Sequence, residues 1–258
     1  MKNAIFITVR TSSTRLPQKC LLEIVGKPTI VHLIERLKRV RLADGIVLCT
    51  TTNPEDDVLC HIASKEGIAF FRGSEQDKLE RWRGAVEKYD VEFFVTADGD
   101  DVLCEPELID LCFAQYRRTA VDFIEGKEIP CGAFTYGIKA SALKKVCEIK
   151  DTEDTEMMWV YFTKTGMFRC AQLEDVPDVL RKPEIRMTLD YEEDFQFFKN
   201  IIEHFAALGQ KDFTLRDMLS YLERHPEVVR INQSRQQEFL DNQKKKTKLI
   251  LRTEGPHG

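Results

Sequence analysis

Between Ala4 and Arg117 the chain switches back and forth between two hydrophobic periods, and that alternation restricts its fold more than any other feature. Four runs, Ala4–Val9, Ile46–Cys49, Ile68–Phe71 and Val91–Ala97, are short, apolar and rich in β-branched or aromatic residues. Buried strands have that composition. Helical spacing fills the gaps. Ile30, Leu33, Ile34 and Leu37 recur at one face, and Glu55–Lys65, Glu75–Tyr89 and Glu107–Arg117 repeat the pattern. Gly67 ends the second helix, and Pro106 opens the fourth in its first turn. Strands separated by helices pair in parallel through right-handed crossovers. The expected fold class is therefore α/β, a mainly parallel twisted sheet with helices on both faces. A chain of 258 residues accommodates this as one large domain.

The second half is less regular. Strands are expected over Val121–Ile124, Phe134–Ile138, Phe168–Leu173 and Met187–Leu189, with short helices over Ser141–Cys147 and Thr155–Lys164. An amphipathic helix spans Tyr191–Leu208, and Thr214 caps another that runs to His225. This divides the chain into a domain over 1–232, interrupted by an insertion at about 121–173, and a polar, basic tail over 233–258. The tail carries Lys244, Lys245, Lys246 and Lys248 and reads as a frayed helix with a loose end.

The first strand runs into Arg10–Lys27, which holds Arg10, Arg15, Lys19 and Lys27 beside Thr11, Ser12 and Ser13, with no acid before Glu23. A basic, hydroxyl-rich loop at the carboxyl end of a first parallel strand is where an α/β sheet binds phosphates. The chain as a whole has 38 basic and 43 acidic residues, so this cluster stands on a negative background and non-specific nucleic-acid binding is not expected. A second cluster, Asp98-Gly99-Asp100-Asp101, ends the fourth strand. Carboxylates at that edge suit Mg²⁺, which is held by one or two carboxylates and the substrate's phosphate oxygens; an acidic turn capping the next helix is the plainer alternative. Asp190 stands between a strand and a helix, where an aspartate N-caps well. Glycine-rich nucleotide loops of the G-x-x-x-x-G-K and G-x-G-x-x-G types and nucleophile elbows are absent. Eight cysteines without a C-x-x-C pair read as buried free thiols of a cytoplasmic protein, and the five histidines show no metal-ligand spacing. No apolar stretch reads as a signal peptide or a bilayer span.

Arg10, Ser13, Thr14, Arg15, Leu16, Pro17, Lys19, Leu21, Gly26, Lys27 and Pro28 fall in step with R-x-x-S-[ST]-R-L-P-x-K-x-L…G-[KR]-P. On this motif the chain resembles the cytidylyltransferases that make CMP-sugars, the CMP-3-deoxy-manno-octulosonate and CMP-acylneuraminate synthetases and above all their SpsF-like relatives. Gln18 replaces a usual glycine, and Val102 the proline after the family's G-D motif. The resemblance implies the Rossmann-like nucleotide-diphospho-sugar transferase fold, CTP as donor, Mg²⁺ as cofactor, a small-molecule acceptor in surface polysaccharide synthesis, and a homodimer. It assigns Arg15, Lys19 and Asp100 to catalysis and Asp100 and Asp190 to the metal. Arg10, Ser13, Arg15, Lys19, Arg72, Ser74, Asp77 and Asp98 would bind the nucleotide; Arg72, Ser74 and Asp77 belong to an R-G-S-E-x-D-x-L-x-R match that also reads as a capping box. The insertion would take the acceptor, with Thr135, Tyr136 and Lys139 as its polar groups, and the lack of an acid between Pro130 and Gly137 favours an anionic acceptor. Two other readings share these residues: a relative using another nucleotide or a phosphorylated or phosphonate acceptor, and a catalytically silent nucleotide-binding protein.

Overall fold

The computed structural model describes residues 1–252. Its elements in chain order are β1 (Asn3–Thr8), the small hairpin β2 (Glu23–Ile24) and β3 (Lys27–Pro28), α1 (Thr29–Leu37), β4 (Gly45–Thr51), α2 (Asp57–Lys65), β5 (Ala69–Gly73), α3 (Lys78–Tyr89), β6 (Phe93–Asp98) and α4 (Pro106–Thr119). There follow β7 (Phe123–Glu125), β8 (Tyr136–Lys139), α5 (Ala140–Ile149), α6 (Trp159–Thr163), β9 (Cys170–Gln172), α7 (Glu192–Ala207), α8 (Leu215–Arg224), α9 (Pro226–Gln233) and α10 (Arg235–Lys246). Seven strands form one sheet in the order β5-β4-β1-β6-β8-β7-β9. All its pairings are parallel except those of β8, which runs against both β6 and β7.

The alternating side chains of β1 feed two cores. Ile5 and Ile7 point into one, with α1, α2, α4, α7 and α8 packed over it, and Ala4 and Phe6 point into the other, under α3, α5 and α6. Both faces are thus covered, which is why the strands read as continuous apolar runs.

The second half departs from expectation in three places. Met187–Leu189 forms no strand; its neighbourhood holds a bridge from Arg186 to Cys131 and the bonds Met187 N to Cys131 O (2.8 Å) and Leu189 N to Asp100 O (2.8 Å). The helix expected from Thr155 begins at Trp159. In place of a frayed helix and a loose tail, α9 and α10 follow α8, and the chain then folds back so that Leu251 bridges Lys150. Arg235 on α10 pairs with Glu193 on α7 at 2.8 Å. His257 and the Gly-Pro-His end of the tail lie outside the described residues.

Candidate active site

Two chain segments meet at the carboxyl edge of β1 and β6. Asp98 ends β6 opposite Thr8, and Gly99 N donates to Thr8 O at 2.8 Å. A Cβ on Gly99 would come within 2.6 Å of Val9, so the chain can turn there only without a side chain. The basic loop is tied down at both ends. Thr11 N and Oγ1 each donate to the buried Asp56 carboxylate at 2.8 Å, and Thr29 Oγ1 donates to Lys19 O at 2.8 Å. Gln18, where the resemblance led to an expectation of glycine, has φ of 52°, so the left-handed backbone is adopted here without the residue that takes it freely. The tight turn after it aims Lys19 inward.

Lys19 Nζ lies 2.7 Å from Asp100 and 2.9 Å from Asp190, joining two carboxylates 90 residues apart in sequence. Arg15 reaches the same Asp190 oxygen at 2.5 Å, and Arg186 takes the other at 3.2 Å. Arg186 is itself fixed by Asp194 at 2.9 and 3.0 Å. Asp194 also accepts from Asp190 N (2.9 Å), Tyr191 N (3.0 Å) and Asn232 Nδ2 (2.9 Å). Asp194 thus takes over the start of α7, where an N-cap by Asp190 was an option, and leaves Asp190 to the cations. Lys78 Nζ meets Asp98 at 2.8 Å.

Burial penalises every charge here, and the number of partners decides who stays ionised. Burial lowers the proton affinity of Lys19, but Asp100 and Asp190 outweigh it and hold the ammonium above its ordinary value. Burial also opposes the Asp190 carboxylate, yet Lys19 and Arg15 hold its pKa well below the usual range. Asp100 has one cation, while Asp190 and Asp98 repel it, so burial raises its pKa. Asp101 is pushed up furthest, by burial and then by Asp100 and Asp98, and sits 3.4 Å from Thr135 Oγ1.

The donors fit a divalent cation shared with a substrate. Among the described residues no three of His, Cys, Asp and Glu are grouped to hold a metal alone. Asp100 and Asp190 are instead drawn together by a single positive charge, that of Lys19. Mg²⁺ needs no more from a protein when phosphate oxygens complete its shell.

Arg15, Lys19, Lys78, Asp98, Asp100, Asp101 and Asp190 line a cleft of about 860 Å³, together with Arg10, Ser13, Thr135 and Tyr136. Four of the residues that the resemblance assigns to nucleotide or acceptor binding do not line it. Arg72 donates to Thr51 O and Asn53 O, both at 2.8 Å, and pairs with Asp57 at 2.6 Å. Ser74 Oγ accepts from Asp77 N, and Asp77 caps α3, accepting from Glu80 N at 3.1 Å while its carboxylate pairs with buried Lys150. Lys139 pairs with Asp122 at 3.6 Å. It stands opposite Phe93, the first residue of β6, whereas the cleft opens beyond Asp98, the last. Five residues of strand put it about 16 Å away. Of two aromatics that could face an acceptor, Trp159 lines the cleft and Tyr161 is buried outside it.

Sequence reasoning missed Arg186, Asp194, Lys78 as a partner of Asp98, and the face of α10. Gln236, Phe239, Asn242, Gln243 and Lys246 all line the cleft. Phe239 lies against the Arg186 guanidinium, 4.5 Å from its ring centre. Arg186 and Asp194 flank Asp190 in the motif R-x-T-L-D-x-x-x-D and were within reach; α10 gave no such signal.

The family described as cytidylyltransferase matches residues 4–245 of this chain. An uncharacterized protein of Methanocaldococcus jannaschii is 30% identical over 234 residues, 90% of this chain and 95% of its own. The spore coat polysaccharide biosynthesis protein SpsF of Bacillus subtilis is 26% identical, over 89% of this chain and 98% of its own. Among solved structures, a cytidylyltransferase from Leptospira borgpetersenii superposes with a TM-score of 0.80 at 26% identity, covering 89% of this chain and 97% of that one.

Proposed function

This chain belongs to the cytidylyltransferase family, and from that premise we propose that it transfers CMP from CTP to a hydroxyl of a sugar-like acceptor, releasing pyrophosphate. The observation that carries this reading is Lys19 held between Asp100 and Asp190 at the sheet edge. A triphosphate entering the cleft offers phosphate oxygens to Lys19, Arg15 and Arg10, and the two carboxylates are then left to a divalent cation. Mg²⁺ bound there supplies charge neutralisation for the α-phosphate. The protein's own residues do the rest by holding and orienting. Arg15 and Lys19 hold the leaving pyrophosphate, Ser13 donates to the phosphates, and Lys78 keeps Asp98 turned into the cleft. The acceptor oxygen bonds to the α-phosphorus, the bond from that phosphorus to the β-phosphate breaks, and the hydroxyl proton passes to water. Likeness to the Bacillus protein suggests surface polysaccharide as the destination, and the homodimer implied by the sequence resemblance stays part of the proposal.

Calorimetric titration with CTP, UTP, ATP and GTP, each with Mg²⁺, tests the donor. CTP should bind at least tenfold more tightly than the others. Preference for another nucleotide would change the donor, and binding without subsequent pyrophosphate release from any acceptor would leave a silent nucleotide-binding protein.

A further inference from the structure

The cleft has a second wall, and its chemistry is unlike that of the phosphate edge. It is made by α10 and by the segment 154–159, which the Lys246–Glu156 ion pair ties together at 3.0 and 3.1 Å. Resting on the cytidyl-transfer reading, we propose that this wall binds the acceptor and that the acceptor is an uncharged polyhydroxy compound, a neutral sugar or polyol carrying neither carboxylate nor phosphate.

The charges argue first. Lys246 is the one cation of this wall among the described residues, and both oxygens of Glu156 already engage it. Asp154 adds a further negative charge. Lys139, the one cation among the polar groups expected to face the acceptor, is turned to Asp122 outside the cleft. An acceptor carboxylate placed here would lose hydration without gaining a counter-charge, which is costly. The other cations of the cleft stand elsewhere: Arg10, Arg15 and Lys19 on the phosphate loop, and Lys78 and Arg81 on α3, where Lys78 is paired with Asp98 at 2.8 Å and Arg81 donates to the backbone carbonyls of Ser74 and Glu75.

The polar groups argue second. Gln236 and Gln243 line the wall, and Gln236 Oε1 is buried with no hydrogen-bond partner among the described residues. A primary amide offers a donor and an acceptor side by side. A hydroxyl answers both, whereas a carboxylate, which only accepts, leaves the amide oxygen unpaired. The indole of Trp159 supplies the apolar surface on which the CH face of a sugar ring can lie.

The test uses the full chain with CTP and Mg²⁺, assayed for pyrophosphate release against neutral pentoses, hexoses and C4–C6 polyols. Aldonic, uronic and 2-keto acids of matching length are run beside them. CTP affinity is measured first, so that failure of the donor is seen separately; if CTP does not bind, the acceptor proposal falls together with the reading beneath it. With CTP bound, release is expected with a neutral compound and not with the acids. Gln236→Ala should then raise the KM for that compound about tenfold, as loss of a hydrogen bond does, and leave the Kd for CTP unchanged. Turnover of an acid, turnover of no neutral member, or an unchanged KM in Gln236→Ala would each overturn the proposal.

Discussion

The two walls of the cleft are built on opposite principles. At the phosphate edge, Arg15, Lys19, Asp100, Asp190, Arg186 and Asp194 form a continuous chain of ion pairs between 2.5 and 3.2 Å, most of it shielded from water. Charges so placed must all be present, because removing one leaves its partner buried and unpaired. On the other wall, among the described residues, the one ion pair is Lys246–Glu156, about half exposed, with Asp154 beside it. The rest is amide and aromatic, able to accept a change of residue at small cost. The first wall therefore suits the proposed triphosphate, and the second the proposed acceptor.

That contrast can be broken at several points. Asp100→Asn has the largest expected effect. It removes a carboxylate from the proposed metal position, and turnover should fall by about 10³-fold, the scale on which a preorganised electrostatic group acts. Turnover near wild type would move the metal elsewhere. Cys131 tests how dry the boundary between the walls is. Burial first, and then Asp101, pushes its thiol up to about 12. A raised thiol pKa means that less thiolate is present at any pH below it, so alkylation at pH 8, followed by mass spectrometry, should be about 10³-fold slower than for a free cysteine thiol. Alkylation at the rate of a free thiol would mean that this boundary is wet.

Lys19→Ala should lower kcat/KM by about 10²-fold. The fold should stay at some cost in stability, since Asp100 loses its only cation among the described residues while Arg15 and Arg186 still pair with Asp190. Arg72→Ala has the smallest effect and sharpens the comparison from outside. It should cost about 1–2 kcal/mol of stability, read from the denaturant midpoint, through three lost charge-assisted bonds that are partly exposed. The Kd for CTP should not change. A weakened Kd would return Arg72 to the nucleotide site.

The sequence made the two walls unequally legible. The phosphate edge follows from short local patterns: a basic loop after one strand, acids after another, and Asp190 at a strand-to-helix joint. Each is set by neighbours a few residues away, and the alternation of strands and helices brings the first two to one edge of the sheet. Lys139 misled because its distance from the cleft depends on the antiparallel register of β8 against β6, which no local pattern encodes. Arg72, Ser74 and Asp77 misled because a capping box and a binding loop use the same residue types. The face of α10 was illegible for a different reason. The helix buries no residue and carries no apolar stripe, so its sequence reads as solvated, and only its docking beside Arg186 and Tyr191 turns Gln236 and Phe239 toward the cleft.

The central claim is that nucleotide and acceptor are held by different walls. The rise in melting temperature on adding CTP with Mg²⁺, compared among wild type, Lys19→Ala and Gln236→Ala, tests it most directly, because a ligand raises stability by an amount set by its affinity. The shift should be lost or nearly lost in Lys19→Ala and retained in full in Gln236→Ala. Equal shifts in all three proteins, or loss of the shift in Gln236→Ala, would contradict the division.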